Sequence, residues 1–222
     1  MKPVGYLVDY PEGLAGEHGQ FYDYIIGSNG IFIEAESPLI TARIPVAECN
    51  IRGLAPVEQK ISLLYGSIPQ RFFDLALDLF LTDIHSEHYV AVIGDAGYRF
   101  HIPVQDKSAG KVVYEAESSV ILELHSHGEG SARFSGTDNK DETGFKFYGV
   151  VGRLGATPMV KLRIGAYGYF QELPWNAVFD GSLTGAIEHE EEEVISESEL
   201  QSLVAKNGSR LKNFGRRLWG HR

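Results

Sequence analysis

Val120-Ile-Leu-Glu-Leu-His-Ser-His-Gly-Glu-Gly-Ser-Ala-Arg-Phe-Ser-Gly-Thr-Asp138 opens as an apolar strand, runs straight into two histidines and returns through a glycine-rich loop to a carboxylate. Successive strand residues face opposite ways, so His125 and His127, two apart, point to one side. Their positions are about 6–7 Å apart along the strand, and the rings can converge on one ion. Gly128 and Gly130 let the chain turn, and Asp138 follows after a short loop. Two imidazoles and one carboxylate leave a fourth coordination position open for water, the pattern of catalytic rather than structural zinc. A closed site would need another protein ligand, and the single cysteine, Cys49, is remote in sequence. Zinc in such a site brings the pKa of bound water down to about 7. Hydrolysis then needs a carboxylate to carry the proton and a donor for the oxyanion. Ser135, three residues before Asp138, is placed to offer its hydroxyl to the same pocket.

Outward from this stretch the pattern is strand-rich around one strong helix. Pro69 suits a first helical turn, and Phe72, Phe73, Leu75, Ala76, Leu79, Phe80 and Ile84 recur at helical spacing. Strands are expected at Tyr89–Ile93, Tyr98–Ile102, Val112–Ala116, Phe147–Val151 and Val160–Ile164. Residues 1–60 read as β-rich: Phe21–Ile26 and Ile31–Ala35 flank Gly27-Ser-Asn-Gly30, a hairpin signal because Asn and Gly accept positive φ. Leu39–Val46 reads as a further strand that Pro45 pushes to an edge. An amphipathic helix packed on a run of strands implies an α+β, sandwich-like core.

Composition narrows the function. The 222 residues carry 20 Lys+Arg against 30 Asp+Glu, a net charge of −10, which argues against a general nucleic-acid binder and against adhesion to anionic membranes. One cysteine excludes a disulfide framework and a Cys-rich zinc site, and with it a nucleobase deaminase. No apolar run reaches the ~20 residues of a membrane span, and the N-terminus lacks a secretory apolar core. A cytoplasmic protein is expected. Acidic residues crowd positions 188–199, and Lys206, Arg210, Lys212, Arg216, Arg217 and Arg222 make the end basic, with Trp219 as a possible anchor; a solvated, disordered arm is expected there.

His125-Ser-His127, seven residues, Ser135, two residues and Asp138 match the H-x-H-x(7)-S-x-x-D signature of the JAMM (JAB/MPN, Mov34/PAD-1) metallopeptidases. The chain resembles that family over roughly residues 69–170. The resemblance implies a JAB/MPN-like (cytidine-deaminase-like) curved sheet flanked by helices, here with a β-rich N-terminal extension. The expected organisation is residues 1–60 as extension, 61–185 as catalytic domain and 186–222 as tail. It implies a zinc isopeptidase or peptidase that cuts after the C-terminus of a ubiquitin-like protein, with Zn²⁺ on His125, His127 and Asp138 and Ser135 stabilising the oxyanion. The family's general base is a glutamate at the start of the strand after the first helix. Glu87 occupies that place, ahead of Glu117, Glu123 and Glu129. Many members have proline after the second histidine, whereas this chain has Gly128. Within the family the stretch is similar to the protein A branch of PRTRC mobile-element systems, which implies a prokaryotic ubiquitin-like partner and a ThiF-like partner system. The alternative is an MPN-type scaffold without hydrolytic activity; its ligand positions would be degraded, and here all are present.

Several residues have plainer readings. His85, His88 and His101 read as surface or packing residues, and Ser126 as a brace facing away from the metal. Asp141 and Glu142 read as cap or solvent residues rather than partners of a metal-binding histidine. Cys49 reads as a small buried hydrophobe.

Overall fold

The computed structural model describes residues 2–108, 111–114 and 119–189, and the expectations for Glu117 and for the tail from residue 190 onward lie outside this set. Among the described residues the chain is mostly strand, in two open mixed sheets and a small ribbon. The first sheet holds β1 (Val4–Tyr10), β2 (Gly13–Glu17), β3 (Tyr22–Gly27), β4 (Gly30–Glu36), β5 (Ile40–Glu48) and β6 (Lys60–Leu63). Its order is β2-β1-β3-β4-β5-β6, with β1 parallel to β3 and the other neighbours antiparallel.

Two details of this sheet differ from the sequence expectation. The β3–β4 hairpin closes where its turn residues place it, pairing Gly27 with Gly30, but none of residues 27–30 has a positive φ. Asn29 serves instead through its side chain, which donates to the Val57 carbonyl and accepts from the Val57 N–H. Pro45 does not push β5 to an edge, since β5 lies between β4 and β6. It is tolerated because β6 pairs only with Ile40–Arg43, which leaves Pro45 without a β6 partner on that side.

The chain continues through α1 (Gln70–Leu81), β7 (Tyr89–Gly94) and β8 (Tyr98–His101), then the ribbon β9 (Gln105–Ser108) and β10 (Lys111–Tyr114). There follow β11 (Val120–Ser126), the single turn α2 (Asp138–Asp141), β12 (Lys146–Gly152), β13 (Met159–Ala166), β14 (Tyr169–Leu173) and the short β15 (Ile187–Glu188). The second sheet runs β14-β13-β12-β11-β7-β8, with β15 alongside the start of β13. Its central pair β11–β12 is parallel, and β11 is antiparallel to β7.

Helix α1 turns Phe72, Phe73, Ala76, Leu77 and Phe80 inward. Leu75, counted in the same stripe from the sequence, is 49% exposed; it lies about 200° round the helix from Phe73. The stripe packs into one core with Ile33, Ile40 and Ile44 of the first sheet and Val90, Leu122 and Leu124 of the second. The expected sheet flanked by helices reduces, among the described residues, to α1 as the only helix longer than a turn. After Pro174 the chain makes a 3-10 turn instead, and Trp175 stacks on Phe179, ring centroids 4.1 Å apart. No helix among the described residues is long and apolar enough to cross a membrane.

Candidate metal centre

Strand β11 positions the histidines. It is held on both flanks, His125 pairing with Tyr89 of β7 and Val150 of β12. The His127 N–H donates to the Val151 carbonyl at 2.8 Å, which carries the ladder one step past the end of the strand. His125 and His127 therefore share a face, as alternation requires. Ser126 takes the opposite face, fully buried, and its hydroxyl accepts the His88 N–H.

The continuation of the β7–β11 register places Glu87 as well. Ser126 and His88 form the next pair: the Ser126 N–H donates to the His88 carbonyl, and the His88 N–H to Ser126 Oγ. One step further, Glu87 falls opposite His127 and on the histidine face. Glu87 also lines a cleft of about 440 Å³ with Ile84, His85, Ser86, His127, Gly128, Glu129 and Gly130. Burial holds its carboxyl above the ordinary carboxylate range; the His127 charge opposes this and the Asp138 charge reinforces it.

Gly128 has φ +54°, and a Cβ there would stand 2.5 Å from the Ile84 carbonyl oxygen. Proline, locked near −65°, cannot take this conformation. The departure from the family's common proline is thus built into the backbone path.

The Ser-x-x-Asp spacing has a local physical cause. Asp138 Oδ2 accepts the Ser135 N–H, while Ser135 Oγ accepts the N–H groups of Thr137 and Asp138, both at 3.2 Å. This reciprocal pattern is that of a capping box, and it starts α2 with the Asp138 carboxylate turned toward the histidines. Both acceptor sites of the Ser135 hydroxyl are used, so its proton is what the side chain has left to give.

The ligand atoms converge. His125 Nε2 and His127 Nε2 are 3.2 Å apart, and they lie 3.5 Å and 3.7 Å from oxygens of Asp138. Tetrahedral zinc with bonds of about 2.0–2.1 Å requires ligand atoms about 3.3–3.4 Å apart, so the spacing fits the ion. The tautomer fits too. His127 Nδ1 lies 3.1 Å from the Ser131 carbonyl, which can only accept, so Nδ1 carries the hydrogen and Nε2 presents its lone pair. Burial holds the pKa of His125 well below its usual value, so that ring is neutral near pH 7, as binding to an ion requires.

Of the other acidic residues considered, Glu123 pairs with Lys146 at 2.7 Å, and exposed Glu129 lies 3.5 Å from His85. Glu142 caps the end of α2, its N–H donating to the Asp138 carbonyl, but it corrects the other half of its sequence reading: it is buried, not in solvent, with Oε1 3.8 Å from His125 Nδ1 and Oε2 bound by the Arg163 guanidinium. Burial pushes its carboxyl up to about 7 against the pull of Arg163. Arg163 itself was missed from sequence. In Val160–Ile164 alternation assigns Lys161 and Arg163 to a solvent face, yet both are buried. The available signal was the i, i+4 spacing of Asp138 and Glu142, which puts a second carboxylate on the ligand's side of the helical turn.

A pair of histidines and a carboxylate at tetrahedral spacing, with His127 also lining the cleft that holds Glu87, defines a candidate mononuclear metal site. Residues 78–165, which hold all of these side chains, match the family of prokaryotic homologs of the JAB domain. No curated protein matches the chain.

Proposed function

We propose that the protein is a zinc-dependent isopeptidase or peptidase that hydrolyses the bond after a ubiquitin-like C-terminus. The observation that carries this reading is the convergence of His125 Nε2, His127 Nε2 and the Asp138 carboxylate beside the partly buried Glu87. His125, His127 and Asp138 would hold the ion. When bound, zinc supplies Lewis acidity toward a water molecule and the scissile carbonyl. Glu87 takes a proton from the attacking water and delivers it to the leaving amine nitrogen as the C–N bond breaks. Its raised pKa makes it a better acceptor of the water proton than a solvent carboxylate. The Ser135 hydroxyl donates to the carbonyl oxygen as charge develops there.

The substrate reading rests on the family resemblance and on the open cleft beside Glu87, which suits an extended, small-residue tail such as one ending in Gly-Gly. With it go a prokaryotic ubiquitin-like protein or its conjugate as substrate, a ThiF-like partner system and a cytoplasmic setting. The same reading takes residues 61–185 as a catalytic domain of the α+β, cytidine-deaminase-like kind and residues 1–60 as an extension. Incubation of the full chain with a ubiquitin-like protein fused through Gly-Gly to a reporter tests it. Zinc-dependent release of the reporter is expected; a zinc-loaded chain that leaves every such fusion intact would favour a scaffold role.

A further inference from the structure

Behind His125 lies a buried ionic assembly that takes no part in the chemistry above. Arg163, on β13, donates from Nε to Glu142 Oε2 at 3.0 Å and from Nη2 to the same oxygen, while Nη1 donates to Asn139 Oδ1 at 2.6 Å. Its guanidinium is clamped between the rings of Phe134 and Phe170, 3.7 Å and 3.8 Å from their centroids. Arg163 is 4% exposed and Glu142 7%. A buried ion pair is weak evidence for stability, because apolar residues of similar volume often serve as well or better. Its position suggests another use. Asn139 lies in the one turn that carries Asp138, Glu142 caps its end, and Phe134 immediately precedes Ser135. The second Glu142 oxygen lies 3.8 Å from His125 Nδ1, the nitrogen turned away from the metal-facing Nε2.

We infer that Arg163 and Glu142 are positioning residues for the metal site, an inference that rests on the zinc reading. Arg163 anchors the α2 turn to β13 through Asn139 and Glu142 and so fixes where the Asp138 carboxylate stands. It also holds Glu142 in place beside the outer nitrogen of His125. A carboxylate there favours the tautomer with hydrogen on Nδ1, keeps the Nε2 lone pair toward the ion and raises the ring's basicity. One cation on the sheet thereby sets two of the three ligands.

The test is metal affinity and cobalt spectroscopy on the full chain, comparing wild type with Glu142→Gln, Arg163→Met and Arg163→Lys. Glu142→Gln and Arg163→Met should weaken zinc binding about 10–100-fold, measured by competition with a chromogenic chelator, and should shift the visible bands of the Co²⁺-substituted protein while far-UV circular dichroism stays the same. Arg163→Lys, which keeps the charge and loses the planar fork, should fall between them and wild type. If Arg163→Met does not fold, the near-isosteric Glu142→Gln and the lysine variant decide. Folded variants that bind zinc within twofold of wild type with an unchanged cobalt spectrum overturn the inference. A wild-type chain that takes up neither metal overturns the zinc reading itself, and this inference with it.

Discussion

Glu87 lies directly opposite His127 when the antiparallel pairing of Tyr89 with His125 is carried two residues further, through the backbone bonds that join His88 to Ser126. Forty residues apart in the chain, the two share one face of the sheet and one cleft. The base position of the proposed mechanism is thus a consequence of strand register, and a slip by one residue would send Glu87 to the buried side.

Glu87→Gln should keep its zinc and lose hydrolysis by about 10²–10⁴-fold, the usual contribution of a positioned proton carrier. Metal analysis and turnover of a ubiquitin-like fusion on the same preparation check this. A variant with wild-type turnover would remove Glu87 from the mechanism.

The pH profile follows from the same residue. Burial raises the Glu87 pKa above its ordinary 4.5, so the basic form is lost at a higher pH than for a solvent carboxylate. The acid limb of kcat/KM should lie above 4.5, with activity rising as pH increases through it. Glu87→Gln should show no such limb in its residual rate.

Stability of the metal-free chain should fall as pH drops below the ordinary histidine range. The pKa of His125 is lowered from 6.5 to about 4, so over that window the unfolded ring takes up a proton that the folded ring refuses. Urea unfolding at pH 7 and pH 5 should show the loss, and a His125→Gln variant should lose less. Equal pH slopes in both would contradict the assignment.

Gly128→Ala should destabilise the chain by about 1–2 kcal/mol from the left-handed backbone alone, with a further cost from crowding the Ile84 carbonyl. Denaturant titration measures it. Phe73→Ala, in the fully buried contact of α1 with Trp175 and Phe179, should cost about 3–5 kcal/mol.

What could be read from the sequence was local. The β11 histidines, the hairpin at Gly27–Gly30 and the stripe on α1 each follow from a period or a turn signal within a dozen residues. Features set by distant segments were not legible. Pro45 is tolerated in an interior strand because β6 stops short of it, a fact of pairing between segments about fifteen residues apart. The burial of Glu142 depends on Arg163 of β13 and on two aromatic rings that clamp it, and beyond the i, i+4 spacing from Asp138 nothing near residue 142 announces them. Asn29 marked the correct turn for a different reason, its bonds to Val57 rather than backbone conformation.

The central claim is that His125, His127 and Asp138 together hold one metal ion. Zinc content per chain, measured by elemental analysis on wild type beside His125→Ala and Asp138→Ala, tests it most directly. About one zinc per wild-type chain, lost in both variants, is the expected result; a wild-type chain without stoichiometric metal, or variants that retain it, would contradict the account.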